Sequence, residues 1–176
     1  MSVKKKSSVS RAVPVKSTAT GSTPSAAARG AAEAALQVMI AEFAPSHLRL
    51  IATIRRSLRK RLPTAHEVVY EYRNQGAVVI SFSPNEHGYE GVLSIRGDAD
   101  GVRLYFNQAK DLPDPEKLLQ GSASKVRFIN LEGVSTLARP AVASLIDEAI
   151  ARNRVPFALA GLGSVIIRSA AAKKRK

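Results

Sequence analysis

Metal chemistry in this chain would fall to three short clusters: Glu86, His87 and Glu90; Asp98 and Asp100; and Asp111, Asp114 and Glu116. Oxygen-rich groups of this kind suit hard cations. Each cluster is more simply a solvated turn or a cap, because two acids at i and i+2 beside glycines fall far short of a calcium loop. Acid–base chemistry would need a histidine, and the chain has three, His47, His66 and His87. His47 lies at a predicted helix start and His66 before a strand, and no sequence pattern pairs either with a serine or a carboxylate. "GSASK" (121–125) looks like a phosphate loop but lacks the Walker spacing and does not lead from a buried strand into a long helix. Cysteine is absent, which removes disulfides, thiolate ligands and a cysteine nucleophile. The expectation is a non-enzymatic protein with no cofactor.

Charge is the stronger chemical signal. Lysine and arginine number 27 against 14 acids, a formal net charge of +13. Residues 1–30 hold six basic side chains (Lys4, Lys5, Lys6, Arg11, Lys16, Arg29) and residues 46–62 another six (Arg49, Arg55, Arg56, Arg59, Lys60, Arg61). Residues 168–176 hold five (Arg168, Lys173, Lys174, Arg175, Lys176), and none of the three segments contains an acid. These charges exceed the net +13, so the rest of the chain is mildly acidic. A body of that sign with a basic helix and basic ends points toward polyanions. Arg49, Arg56, Arg59 and Lys60 crowd one side of the predicted helix. Lys125 and Arg127, two apart in a predicted strand, share one sheet face and could extend the patch. These six are the candidate nucleic-acid contacts. The binding expected of them is weak and sequence-independent, since aromatic residues are only 5% of the chain and no RNA-binding signature is visible.

Those side chains must be positioned by elements the chain can build. Residues 1–29 read as a disordered basic tail, because large apolar side chains are nearly absent and burial would not offset the entropy of ordering. Helical periodicity begins near Ala31, with Leu36, Met39, Ile40 and Phe43 on one stripe. Pro45 ends or breaks it. Ser46 is a candidate cap for a second helix, whose apolar face is Ile51, Ile54, Leu58 and Leu62 and which Pro63 stops. The centre is all β: 67–73 and 77–83 around Asn74-Gln75-Gly76, then 91–95 and 102–106 around "RGDADG", then 125–131. Short links between these strands favour antiparallel pairing. A last helix starts at Pro140, turns Val142, Leu145, Ile146, Ala149 and Ile150 inward and runs to Pro156; residues 164–169 are a sixth strand candidate.

No apolar run nears the ~20 residues of a membrane span, and the N-terminus lacks the apolar region of a secretory signal. The organisation expected is one α+β domain over residues 30–169 between basic tails at 1–29 and 170–176. Its core is a mainly antiparallel sheet of about five or six strands packed against N-terminal helices and a C-terminal helix.

The least generic stretch is "LPDPEKLLQGSASKVRF", residues 112–128. Asp114 can accept from the free N–H groups of a one-turn helix, Pro115 fits its first position and Glu116 its positive end. Leu118 and Leu119 give that turn something to bury, and Gly121 can take φ > 0 to close it. Leu112, Pro113, Asp114, Pro115, Leu118, Leu119 and Gly121 therefore read as a structural corner between strands.

With "INLE" after it and "LARPAVASLIDEAI" further on, this stretch resembles the YdhG-like bacterial domain of unknown function. Members of that family carry Leu-Pro-Asp-Pro, Leu-Leu-x-Gly-Ser-Gly and Val-Arg-His before an Arg/His-Pro-Ala-Val helix. The likeness extends through "VVYEY", "ISFSPNE", "LSI" and "VIIRSAAAKKRK" and covers roughly residues 66–175. Phe128 stands where the family has its histidine, Ala123 at the second glycine and Ala138 at the acid before the helix. Gly97-Asp98-Ala99-Asp100-Gly101 replaces an aromatic Tyr-Pro-Arg-Trp. The resemblance implies an α+β fold in a bacterial cytoplasmic protein. Some relatives are described as frataxin-like iron chaperones, so iron enters by analogy only. The first predicted helix offers only Glu33 and Glu42, without an acidic ridge. No catalytic residues carry over. The resulting expectation is a cytoplasmic binding or interaction domain whose partner is a protein or small molecule. Frataxin-like metal handling and sequence-independent nucleic-acid association are the alternatives, and no membrane partner is expected.

Overall fold

The computed structural model describes residues 25–169. The basic tails expected at the two ends fall outside those residues, except that Ser25 caps the first helix and 26–29 already belong to it. That helix, α1 (Ala26–Ile40), starts before the expected Ala31. Ser25 Oγ accepts from the Ala28 N–H at 3.2 Å. The alanines that follow are the best helix formers yet leave no apolar stripe to read in the sequence. α2 (Pro45–Arg61) carries Pro45 at its first position and is preceded by Ala44, so Ser46 lies inside the first turn and does not cap it.

Next come β1 (His66–Tyr72), a 3-10 turn at Arg73–Gln75, β2 (Ala77–Ser83), β3 (Leu93–Asp98), β4 (Gly101–Phe106) and β5 (Arg127–Asn130). α3 (Ser135–Ala138), α4 (Pro140–Ala151) and β6 (Val165–Ser169) complete the chain. Two boundaries differ from expectation in an informative way. α4 ends at Ala151, well before Pro156, with Arg152 still bonded to Glu148 O. β3 runs on through Gly97, which composition had assigned to a turn. A Cβ at Gly97 would lie 2.7 Å from Ile51 Cδ1 and 2.9 Å from Phe43 Cε2. The glycine is therefore in the strand so that α2 and the chain before it can press onto the sheet.

The strand order is β5-β4-β3-β2-β1-β6. Neighbours from β5 to β1 are antiparallel and joined through hairpins or a local loop. β6 pairs with β1 in parallel, as a strand reached through a helical crossover can. The result is an α+β fold on a mixed, mostly antiparallel sheet. Side chains alternate between its faces. One row crosses all six strands in register, Ile167, Val69, Ile80, Ile95, Leu104 and Ile129. This face meets Leu36 and Ile40 of α1, Ile51, Ile54 and Leu58 of α2, and Val142, Leu145 and Ile146 of α4 in one apolar core. No helix among the described residues is long and apolar enough to cross a membrane.

One polar cluster interrupts this apolar layer. Glu67 of β1 shares its row with Phe82 and Leu93 on the helix side, and its side chain is only 4% exposed. Arg55 of α2, whose side chain is 6% exposed, donates from Nε to Glu67 and from Nη1 and Nη2 to the two Glu33 carboxylate oxygens at 2.5 and 2.7 Å. Arg59, one turn on, donates to the other Glu67 oxygen and to Glu33. α1, α2 and β1 are thereby joined by two carboxylates and two guanidiniums. Arg61 extends the pattern by donating to Asp147 of α4 at 2.6 Å.

The Arg55 hydrogen bonds hold Glu33 at a pKa of about 2, against an ordinary 4.5, with the Arg55 and Arg59 charges adding to the effect and partial burial opposing it. A carboxylate with a depressed folded-state pKa contributes stability above its unfolded value and loses it as pH falls through the folded one. Glu33→Gln is therefore expected to have a lower urea midpoint than the wild type at neutral pH, with the gap closing as pH drops from 4.5 toward 2. A gap that persisted unchanged through that window would contradict the pairing.

Candidate nucleic-acid interface

Three of the six basic residues on α2 are engaged within the fold: Arg55, Arg59 and Arg61. Arg59 was expected among the free contacts. It is still 45% exposed, but Glu67 and Glu33 hold it. Arg49, Arg56 and Lys60 are exposed and have no carboxylate within ion-pair distance among the described residues. Their spacing of seven and then four places them along one line of the helix. Lys125 and Arg127 do not form a strand pair as expected. β5 begins at Arg127, while Lys125 sits in the exposed bend before it. Arg127 is half-buried in register with Phe106 on the helix side, and donates to the Val126 carbonyl at 3.1 Å.

The opposite face of the sheet carries different chemistry. Two rows cross it. One reads Arg168, Tyr70, Val79, Arg96, Arg103 and Asn130; the other Ile166, Val68, Ser81, Ser94, Tyr105 and Phe128. The loop 84–92 covers only part of it. Gly88 packs beside Val68 and Tyr70, and Gly91 sits over Ser81. Asn107 closes that side by donating to Gly91 O at 2.9 Å and to Ser94 Oγ at 3.0 Å. At the β4–β5 edge Tyr105 and Phe128 stay partly exposed, with ring centroids 5.3 Å apart and planes tilted by 35°. The Arg103 guanidinium lies 5.8 Å from the Phe128 centroid. Arg96 Nε and Arg103 Nη1 both donate to Asp98 Oδ2, at 2.9 and 3.0 Å. Burial works to raise the Asp98 pKa. The Arg96 bond and the Arg103 and Arg96 charges outweigh it, and the carboxyl titrates below its ordinary range.

The corner at 112–121 borders this edge. It does not form the expected helical turn. Asp114 O accepts from the Lys117 N–H at 3.1 Å, and Lys117 then enters the left-handed region at φ 52°, which stops helical propagation. The Asp114 carboxylate bonds the N–H groups of Leu118 and Leu119, at 2.9 and 2.8 Å, one or two residues beyond the reach of an ordinary cap. Leu112 is buried, Leu118 and Leu119 pack on the core, and Pro113 and Pro115 face solvent. Gln120 then pairs with Phe128 as a one-residue extension of the sheet. Gly121 has the expected positive φ, 104°, and a Cβ there would lie 3.3 Å from the Phe128 ring. The corner's consequence is therefore the placement of Phe128.

The acidic candidates do not assemble. Asp98 is taken by the arginines, Asp114 by backbone, and Glu90 by the Asn85 amide at 2.8 Å. Among the described residues no three His, Asp or Glu side chains gather as a metal-ligand set. The structure does place His66 against Ser164, with Oγ 3.3 Å from Nδ1, a pairing across 98 residues that no local pattern could signal. His47 lies between two open clefts of about 600 and 630 Å³ at the start of α2. Its buried Nδ1 has no partner among the described residues. The first cleft mixes Arg49 and Arg103 with Asp100 and Glu132, so its charge is balanced.

Compared with family models, characterised proteins and solved structures, the chain matches none.

Arg96, Arg103 and Tyr105 were not singled out from sequence, and Phe128 was noted only as standing in place of a histidine. The signal available was the non-core half of each strand's alternation, where arginines and rings stand in place of ordinary solvent-facing residues. Asp114→Ala removes the carboxylate that accepts from two backbone N–H groups, those of Leu118 and Leu119. It is expected to lower stability by ~1 kcal/mol, the usual loss for a capping side chain, and to alter the near-ultraviolet signal of the adjoining ring pair. Unchanged stability in urea titration would show that the turn holds without its carboxylate.

Proposed function

We propose that this chain is a non-enzymatic cytoplasmic binding module of the YdhG-like type whose partner is nucleic acid, engaged through phosphates without sequence preference. The line of Arg49, Arg56 and Lys60 carries this reading. A cation already neutralised inside the fold adds little attraction for a polyanion; these three are exposed with no carboxylate at ion-pair distance among the described residues, and only Arg49 shares a cleft with acids, Asp100 and Glu132. At 1.5 Å rise per residue the line spans ~17 Å of helix, the length of about five phosphates along one strand. The basic residues near both ends of the sequence, Lys4, Lys5 and Lys6 and Lys173 to Lys176, add charge of the same sign. The neighbouring arginines keep α2 fixed, so the cationic line is a rigid feature of the domain.

Phosphate binding releases counterions, which sets a measurable salt dependence. The full chain is expected to bind duplex DNA weakly, with log K falling against log[salt] by roughly 3 to 4 or more per decade. The triple variant Arg49→Gln, Arg56→Gln, Lys60→Gln is expected to bind less tightly and to reduce that slope by about 2 to 3. An unchanged affinity and slope in the folded triple variant, or no binding by the wild type at ~50 mM salt, would refute the assignment.

A further inference from the structure

We propose that the uncovered face at the β4–β5 edge is a base-stacking site for single-stranded nucleic acid. The idea rests on the reading of this chain as a nucleic-acid binder but uses other residues, on the opposite side of the sheet from α2. Tyr105 and Phe128 stand in register on neighbouring strands and are 5.3 Å apart, so the two rings form one platform. Phe128 is in contact on more than one side. Gly121 closes on the Phe128 ring, and Arg103 lies 5.8 Å above its centre. The loop 84–92 packs beside Val68, Tyr70 and Ser81, and both rings remain partly exposed.

The surroundings fit the chemistry of a nucleotide. Arg96 and Arg103 both donate to Asp98, and Arg103 Nη2 lies 3.9 Å from Asp100, so the two guanidiniums are held in place by two carboxylates and offer planar stacking faces rather than net charge. Gln120 and Asn130 are exposed at the rim. The Asn130 amide donates to Gln120 Oε1 at 3.2 Å, which leaves amide groups beside the rings for base edges. Aromatic faces with arginines nearby are the sequence-tolerant pattern by which proteins hold unpaired bases. A duplex keeps its base faces stacked internally, so this site discriminates in favour of a single strand.

The test uses the full chain and two fluorescent DNA probes of about 15 nucleotides, a single strand and its duplex, read by anisotropy. The single strand is expected to bind more tightly than the duplex, and most clearly at ~200 mM salt, where contacts to phosphate alone are weakened. Tyr105→Leu and Phe128→Leu keep apolar bulk and remove the ring. Each is expected to weaken single-strand binding about fivefold or more while leaving duplex affinity and its salt slope unchanged. In the wild type, a thymidine strand is expected to quench tyrosine emission saturably, a direct readout in a chain with four tyrosines and no tryptophan, whether or not the variants fold. Equal binding of strand and duplex, wild-type affinity in the folded ring variants, or absent quenching would overturn the stacking site. If duplex binding then still depended on Arg49, Arg56 and Lys60, the phosphate reading would stand alone; if neither probe bound, both would fall.

Discussion

The Arg55 guanidinium lies between two carboxylates from different parts of the chain, Glu33 of α1 and Glu67 of β1, and much of the architecture follows from that contact. A carboxylate buried on the core side of a sheet is costly unless it is paired and fully hydrogen-bonded. Glu67 is satisfied only when α2 sits so that Arg55 and Arg59 both reach it. Arg55 is satisfied in turn only when α1 brings Glu33 across α2. An apolar layer of Leu36, Ile40, Ile51, Ile54 and Leu58 could tolerate small slides of one helix over another, because dispersion is not directional. Bidentate arginine–carboxylate geometry is directional and selects one register.

That selection also determines which charges face outward. Arg55 and Arg59 turn toward the sheet and Arg61 toward α4, so the basic character of α2 divides into an internal set and an external line. A simple count of basic residues on the helix overstates the charge it presents to a ligand.

The two faces of the sheet are unequal. One is closed by three helices over a continuous core. The other is partly covered by the 84–92 loop, which Arg168 of β6 meets at Glu86 O and which serine and asparagine hydroxyl and amide groups tie down over β2 and β3. Beyond the loop the face depends on edge devices. The 112–121 corner contributes the Gln120 bridge and a glycine that accommodates Phe128. Phe128 is the partner of that bridge. That position holds a ring packed between Tyr105, Arg103 and Gly121.

Local physics made much of the chain legible from its sequence. The stripe of Ile51, Ile54 and Leu58 reads as the buried side of a helix, and it is one. The alternation in residues 77–83 and 102–106 reads as strands, and the positive φ of Gly121 follows from its place at the end of a turn. Periodicity and turn chemistry act over a few residues and leave their mark in those residues. Other features depend on groups far apart in the chain. Glu33 and Glu67 lie 22 and 12 residues from the arginine they share, Ser164 lies 98 from His66, and β6 joins β1 only after α4 has crossed over. Gly97 belongs to a strand because Ile51 and Phe43 press on it, and the Asp114 turn is not a helix because its carboxylate found N–H groups farther along. Which arginines remain free, and which sheet face stays uncovered, are consequences of packing between distant segments, so the tertiary structure alone decided them.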